Sequence, residues 1–343
     1  MLDYKKTGTF LASKRKQAQM TQADVAQKLG VSFQAVSKWE NGTLPFPEIP
    51  HPVLVLKSEE PGSKQKLAME YGYSESICHD MINHLVNDIM VMGARPLAVL
   101  DTIVCGSAEK ETIKSFIKGI SDACRENGCS LVGGETSIQP QVAEKGVYVL
   151  TSSIAGILSK DKVIDGSGIT EGDTVLAVAS NGLHTNGYSL VRMLMDQMPQ
   201  IKLEKIDGET FIEQIMKPHT TYRNAIRNLL ECPGIHGMAH ITGGGIQGNL
   251  CRILPDGLYA DIDLSKIKTL PIFRYIQRIG NIDEAEMLST FNCGVGLIVV
   301  VSERYAEQAI RNIAKYHDCY EIGRIRKGNG KVLFRNSVNW ESS

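Results

Sequence analysis

Between residues 79 and 93 the polar side chains Asp80, His84, Asn87 and Asp88 alternate with Met81, Ile82, Leu85, Val86, Ile89 and Met90. On a helix this spacing draws the four polar groups into one stripe opposite an apolar face. A further carboxylate, Glu135, stands in Gly133-Gly134-Glu135-Thr136, after the short apolar pair Leu131-Val132. Hard oxygen donors gathered this way suit Mg²⁺ held with a nucleoside triphosphate. The competing reading is a merely solvated helix face, the commoner fate of a polar stripe. His184 and His240, taken singly, also read more readily as structural histidines than as catalysts. The glycine turns Gly133-Gly134 and Gly243-Gly244-Gly245 permit the close backbone approach that a phosphate needs.

Other chemistries fit less well. The run Gly243 to Gly248 satisfies G-x-G-x-x-G but opens no strand–helix unit near a domain start, and Gly62-Ser63-Lys64 lacks the earlier glycine of a Walker loop. The eight cysteines form no C-x-x-C and no zinc-finger spacing, so they read as reduced, mostly buried thiols.

These residues must be positioned by a chain of 343 residues, 43% hydrophobic and 22% charged, long enough for two domains and a small extra module. Lys+Arg 37 against Asp+Glu 38 excludes a wholly basic polyanion binder. The first fifty residues nevertheless carry seven basic and four acidic side chains, an excess that marks a nucleic-acid module at that end. Val53–Leu56, Ala98–Val104, Val147–Ala155, Thr174–Ala179 and Val295–Val301 read as strands. Helical stretches near 79–93, 108–127, 186–197, 219–231 and 303–316 lie between them. The alternation predicts α/β layers over a buried sheet. Domains are expected at 1–46, 50–168 and 170–338, the first boundary falling in the proline-rich stretch from Gly42 to Pro52. The opening segment has no signal-peptide core, and Leu297–Val301 is too short to cross a bilayer. A cytoplasmic protein without membrane contact is expected.

Thr21 with Asp24 predicts a capped helix start, Gly30 its stop, and Ser32 the cap of a second helix running to Trp39. The run from Thr21 to Asn41-Gly42 resembles the Cro/repressor-type helix-turn-helix family over residues 5–44. That resemblance implies a double-stranded DNA operator as partner. Gln22 and Asn41 would lie on phosphates, and Gln34, Ser37 and Lys38 on the base-facing side of the recognition helix.

Downstream, several motifs stand in order: Val86-Asn87-Asp88, Gly93-Ala94-Arg95-Pro96-Leu97, Gly128 to Thr136, His184-Thr185-Asn186-Gly187-Tyr188-Ser189, Ala239-His240-Ile241-Thr242-Gly243-Gly244-Gly245 and Phe291-Asn292-Cys293-Gly294-Val295-Gly296. Together residues 52–335 resemble the aminoimidazole ribonucleotide synthetase (phosphoribosylformylglycinamidine cyclo-ligase) family. The resemblance implies a two-domain α/β (α+β) body, a homodimer paired through sheets of its first domain, and ATP-dependent closure of an imidazole ring with Mg²⁺. It implies Asp80, Asp88 and Glu135 on the metal, and Glu59, Lys64, Asn87, Gly133 and Gly134 around ATP. It places Thr185, Asn186, Gly187, Ser189 and Thr242, Gly243, Gly244, Gly245 around the purine intermediate, with His184 and His240 as catalytic histidines. The family's D-G-V-G-T-K reads here Glu59-Glu60-Pro61-Gly62-Ser63-Lys64, its glycine-rich N-terminal segment is replaced by the helix-turn-helix, and His84 stands where the family has an apolar residue. Those departures support a second reading, a transcriptional regulator whose body senses a purine intermediate or nucleotide without turnover.

Overall fold

The computed structural model describes residues 4–29, 32–42, 49, 51–329 and 331–341. The chain divides into two compact units, residues 1–53 with 158–161, and residues 54–157 with 162–343. Gly30 and most of the 42–52 linker lie outside the described residues.

The first unit carries helices α1 (Tyr4–Gln17), α2 (Gln22–Leu29) and α3 (Phe33–Glu40). The predicted caps are present. Asp24 N–H donates to Thr21 Oγ1 at 3.1 Å while Thr21 N–H donates to Asp24 Oδ2 at 2.7 Å, and Ser32 Oγ accepts from Ala35 N–H. Glu40 ties the three helices. Its carboxylate takes a forked pair of bonds from Arg15 of α1 and a third from Gln22 Nε2 of α2, the latter at 2.8 Å.

The second unit is built on two sheets. Its first half runs β1 (Pro52–Glu59), α4 (Lys64–Tyr71), α5 (Ser74–Met90), β2 (Arg95–Cys105), α6 (Lys110–Glu126), β3 (Ser130–Ile138) and β4 (Tyr148–Ser159). The strand order is β1-β4-β2-β3, with β2 antiparallel to β4 and parallel to β3. Helices α5 and α6 pack together and cover one face, where Val99, Ile103, Leu150 and Ile154 are buried with Leu85, Ile89, Phe116 and Ile120. Alternation sends the other side chains outward, and Leu54, Leu56, Leu100 and Val132 are 63%, 74%, 53% and 61% exposed. One face of this chain's first sheet is thus uncovered.

The second half follows as β5 (Thr174–Ala179), α7 (Tyr188–Gln197), β6 (Lys205–Ile206), β7 (Glu209–Thr210), α8 (Phe211–Ile215), α9 (Arg223–Leu229), β8 (Ile235–His240), α10 (Gly245–Leu250), β9 (Leu258–Asp263), α11 (Pro271–Gly280), α12 (Glu284–Thr290), β10 (Val295–Val301), α13 (Ala306–Ile313), β11 (Cys319–Lys327) and β12 (Val332–Arg335). Six strands form one sheet in the order β12-β9-β11-β5-β10-β8, antiparallel except for β12 against β9. Every residue of β10 is buried, as its unbroken apolar run requires. The helix expected at 219–231 begins only at Arg223, because residues 217–222 are used for something else.

Candidate active site

The polar stripe of α5 is not solvated. Asp80, Asn83, His84 and Asn87 are all buried, and most of their partners come from the segment 217–222. Asp80 Oδ1 accepts from His219 N–H at 2.8 Å, and Asn83 Nδ2 donates to the His219 carbonyl at 2.7 Å. Asn87 Nδ2 donates to the Thr220 carbonyl at 2.8 Å, while its Oδ1 accepts from Tyr222 N–H at 2.9 Å. A segment with no helical ladder of its own has its backbone groups satisfied by one helix face. Lys64 completes this seam, its Nζ 2.8 Å from Asp80 Oδ1 and 2.7 Å from the Lys217 carbonyl.

Lys64 and Asn87 spend their polar atoms inside the seam, and Asp80 spends Oδ1 there, while its buried Oδ2 has no hydrogen-bond partner among the described residues. Burial pushes the Asp80 carboxyl up to about 6 despite the Lys64 ammonium beside it, and burial pulls Lys64 down.

An open pocket of about 530 Å³ lies beside the far end of the stripe, lined by Lys57, Glu59, His84, Asp88, Asn186, His240, Thr242, Gly243, Asn249 and Arg252 among others. Lys57 and Glu59 share a face of β1, being two residues apart. The Lys57 ammonium bridges two carboxylates, 3.1 Å from Glu59 Oε2 and 3.0 Å from Asp88 Oδ2. His84 Nε2 stands 3.5 Å from each of those same oxygens. His240, at the end of β8, has Nδ1 2.7 Å from Asp88 Oδ1 and Nε2 2.8 Å from His219 Nε2. Burial opposes ionisation of Asp88, but the hydrogen bond from His240 and the neighbouring imidazoles and Lys57 hold it well below the usual carboxylate range. Burial, then the adjacent His240, lowers His84 to about 4.

His184 does not line this pocket. It is 1% exposed, its ring stacks on His219 at 3.9 Å, and its Nε2 lies 3.3 Å from Thr220 Oγ1. Gly296 makes room for it, since a Cβ there would meet Tyr222 Oη at 1.9 Å and His184 Cε1 at 2.7 Å. Burial lowers both His184 and His219, and each Nδ1 lacks a hydrogen-bond partner among the described residues.

Glu135 and the pair Gly133-Gly134 lie on β3, and Glu59 lies on β1, at opposite edges of the four-stranded sheet. Three strand spacings separate them, about 14 Å. Within one chain Glu135 therefore stands apart from Glu59. Asn186, Thr242 and Gly243 do line the pocket. Thr185 Oγ1 lies 3.4 Å from His84 Nδ1, and Gly187 opens α7 at a positive φ of 81°. Ser189 is exposed in the first turn of that helix. Gly244 and Gly245 shape the turn into α10, where Asn249 Nδ2 donates to the Gly243 and Gly245 carbonyls. On α3, Gln34 and Lys38 are exposed and Ser37 half-buried. Asn41 Nδ2 reaches Ser37 Oγ at 3.4 Å, and Gln22 is held by Glu40.

Lys57, His219 and Arg252 were not legible as site residues. The alternation of β1 is a usable signal for Lys57, since it must share a face with Glu59. Nothing local marks His219, which depends on a contact 139 positions away.

Three family descriptions match the chain: helix-turn-helix over residues 11–47, AIR synthase related protein, N-terminal domain, over 54–158, and AIR synthase related protein, C-terminal domain, over 170–336. A phosphoribosylformylglycinamidine cyclo-ligase of Bacillus cytotoxicus is 41% identical over 294 residues, covering 84% of each chain. One from Methylobacillus flagellatus is 43% identical over 307 residues, covering 88% of this chain and 85% of that one. A hydrogenase maturation protein of E. coli and a thiamine-monophosphate kinase of Stenotrophomonas maltophilia share the fold. Their TM-scores are 0.60 and 0.61 at 20% and 17% identity, over 84% of this chain and 84% and 87% of theirs. With both sheets matched and two-fifths of the sequence shared over most of its length, the chain belongs to the phosphoribosylformylglycinamidine cyclo-ligase family and carries a helix-turn-helix module ahead of that body.

Proposed function

We propose that the body converts formylglycinamidine ribonucleotide and ATP into aminoimidazole ribonucleotide, ADP and phosphate, in a chain that also binds DNA. The supporting observation is identity above 40% with cyclo-ligases across more than four-fifths of both chains. Phosphate passes from ATP to the formyl oxygen, which makes that oxygen a leaving group. The amidine-side nitrogen then attacks the same carbon, and phosphate departs as the imidazole ring closes. Such a reaction needs alignment and charge neutralisation more than a covalent catalyst.

The pocket residues fit those needs. Asn186, Thr242 and Gly243 offer polar and backbone contacts to the ribonucleotide, and Arg252 adds a cation at the wall. Glu59 Oε2 and Asp88 Oδ2 flank the Lys57 ammonium, whose displacement would leave two carboxylate oxygens for a divalent ion. Mg²⁺ there would neutralise polyphosphate charge. His240 holds Asp88 in place through Nδ1. His184 acts as a positioning residue beneath the 185–187 turn.

The exposed leucines and valine of the first sheet support a homodimer, because contiguous apolar faces of this kind mark association surfaces. Gln34, Ser37 and Lys38 would read an operator, with Gln22 and Asn41 on phosphates.

A second reading, a purine-responsive regulator without turnover, draws on the substituted 59–64 loop and on Lys64 being withdrawn into the seam. Purified protein, ATP, Mg²⁺ and formylglycinamidine ribonucleotide decide between the two. Formation of ADP with aminoimidazole ribonucleotide supports the enzyme. Ligand binding without ADP supports the sensor.

A further inference from the structure

Two imidazoles stand among the carboxylates at the pocket wall, and that changes which cation the wall prefers. His84, Asp88 and His240 bring ligand atoms within 4.8 Å of one another. Zinc-type bonds of about 2.0–2.2 Å put tetrahedral neighbours about 3.3–3.6 Å apart. His84 Nε2 lies 3.5 Å from both Asp88 Oδ2 and Glu59 Oε2, inside that window. A further edge, His240 Nδ1 to the other Asp88 oxygen, Oδ1, at 2.7 Å, is a hydrogen bond that opens slightly when an ion replaces the proton.

Outer support is present as well. With Nε2 turned to the carboxylates, His84 Nδ1 faces Thr185 Oγ1 at 3.4 Å. With Nδ1 on an ion, His240 Nε2–H donates to His219 Nε2 at 2.8 Å. Metal-bound histidines ordinarily have such a partner on the second nitrogen. Lys57 is the built-in competitor: its ammonium touches both carboxylates, and at 37% exposure it has solvent to swing into. The pocket provides the entry path.

We propose that His84, Asp88, His240 and Glu59 form a site for a first-row divalent transition ion of the Co²⁺ and Zn²⁺ type, favoured over Mg²⁺ by its two nitrogen donors. Mg²⁺ prefers six oxygens and retains water, whereas mixed imidazole and carboxylate sets select the later first-row ions. The inference rests on reading this pocket as a cation site, not on turnover.

The test uses the full-length chain with any affinity tag removed, stripped by chelator, in a Cys251→Ser background because Cys251 is the exposed thiol among the described cysteines. Co²⁺ is titrated by visible absorption, and Zn²⁺ and Mg²⁺ by calorimetry, without nucleotide. One Co²⁺ per chain is expected, at least about 100-fold tighter than Mg²⁺. His84→Met and Asp88→Asn should each weaken it by at least about tenfold. Lys57→Met should tighten it, a change of opposite sign that misfolding cannot mimic. Absence of stoichiometric Co²⁺ binding, or binding indifferent to His84→Met and Lys57→Met, overturns the proposal. Co²⁺ bound as expected without ADP formation in the separate turnover assay removes only the enzyme reading. Mg²⁺-supported turnover without such Co²⁺ binding removes only this inference.

Discussion

His219 Nε2 and His240 Nε2 face each other at 2.8 Å, and only one of them can hold the proton between them. His240 Nδ1–H donates to Asp88, so His240 accepts from His219 Nε2–H, and His219 Nδ1 is left as a bare buried lone pair. The carboxylate thereby sets the tautomers of two rings in sequence.

Acid should weaken the body through these rings. Burial lowers His184 and His219 below the ordinary imidazole value, so both are neutral when folded and gain protons on unfolding. Their contribution is complete above about pH 6.5, the unfolded value, and is lost as pH falls toward their lowered folded values. Each adds a slope of about 1.4 kcal/mol per pH unit in that window, so the pair gives about 3. Denaturation of chelator-treated Trp39→Phe protein, read by Trp340, should show lower stability at pH 5.5 than at 7.5. Equal stabilities would refute the assignment.

The Lys64–Asp80 pair, both side chains wholly buried, should behave as a unit. Lys64→Met leaves an unmatched buried carboxyl and should cost about 3–5 kcal/mol. Lys64→Met with Asp80→Asn retains an acceptor for His219 N–H and should recover a large part of that loss. A double variant as unstable as the single one would show that shape, not charge, is at stake.

On a selected operator, Gln34→Ala should cost about 1–3 kcal/mol and relax discrimination at one base pair. Lys38→Ala should relax discrimination at a neighbouring base pair. Fluorescence anisotropy on single-base-pair variants of the operator, at two salt concentrations, checks both. A uniform loss over all sequences with a lower salt slope would place Lys38 on a phosphate instead.

Leu56→Glu and Leu100→Glu put charges on the uncovered sheet face, where each side chain is more than half exposed in the single chain. Sedimentation should shift from dimer to monomer with far-ultraviolet dichroism unchanged. A dimer persisting in the double variant would move the interface elsewhere.

What was legible in the sequence was local. Thr21 with Asp24 and Ser32 announced their caps, and the apolar runs at 174–179 and 295–301 announced buried strands. The stripe at Asp80, His84, Asn87 and Asp88 was also visible, but not what faces it. A solvated face and a face pressed on another backbone have the same period, and only the long-range contact to 217–222 distinguishes them. Strand β3 was legible only as a strand end at Leu131-Val132, because its glycines and outward side chains break the alternation of a half-buried strand. Glu135 was grouped with Asp88 by type, and sheet order then set it at the opposite edge.

The seam between α5 and residues 217–222 has a mechanical consequence. An apolar contact can slide by a fraction of a residue at small cost, whereas this one is keyed by amide, carboxylate and ammonium groups with fixed partners. A shift of one turn would strand Asp80, Asn83 and Asn87 against groups that do not answer them. The body is therefore locked at its waist. A ligand entering the pocket thus meets walls whose register is already set, with Asn249 tying the 242–245 turn to α10 as well.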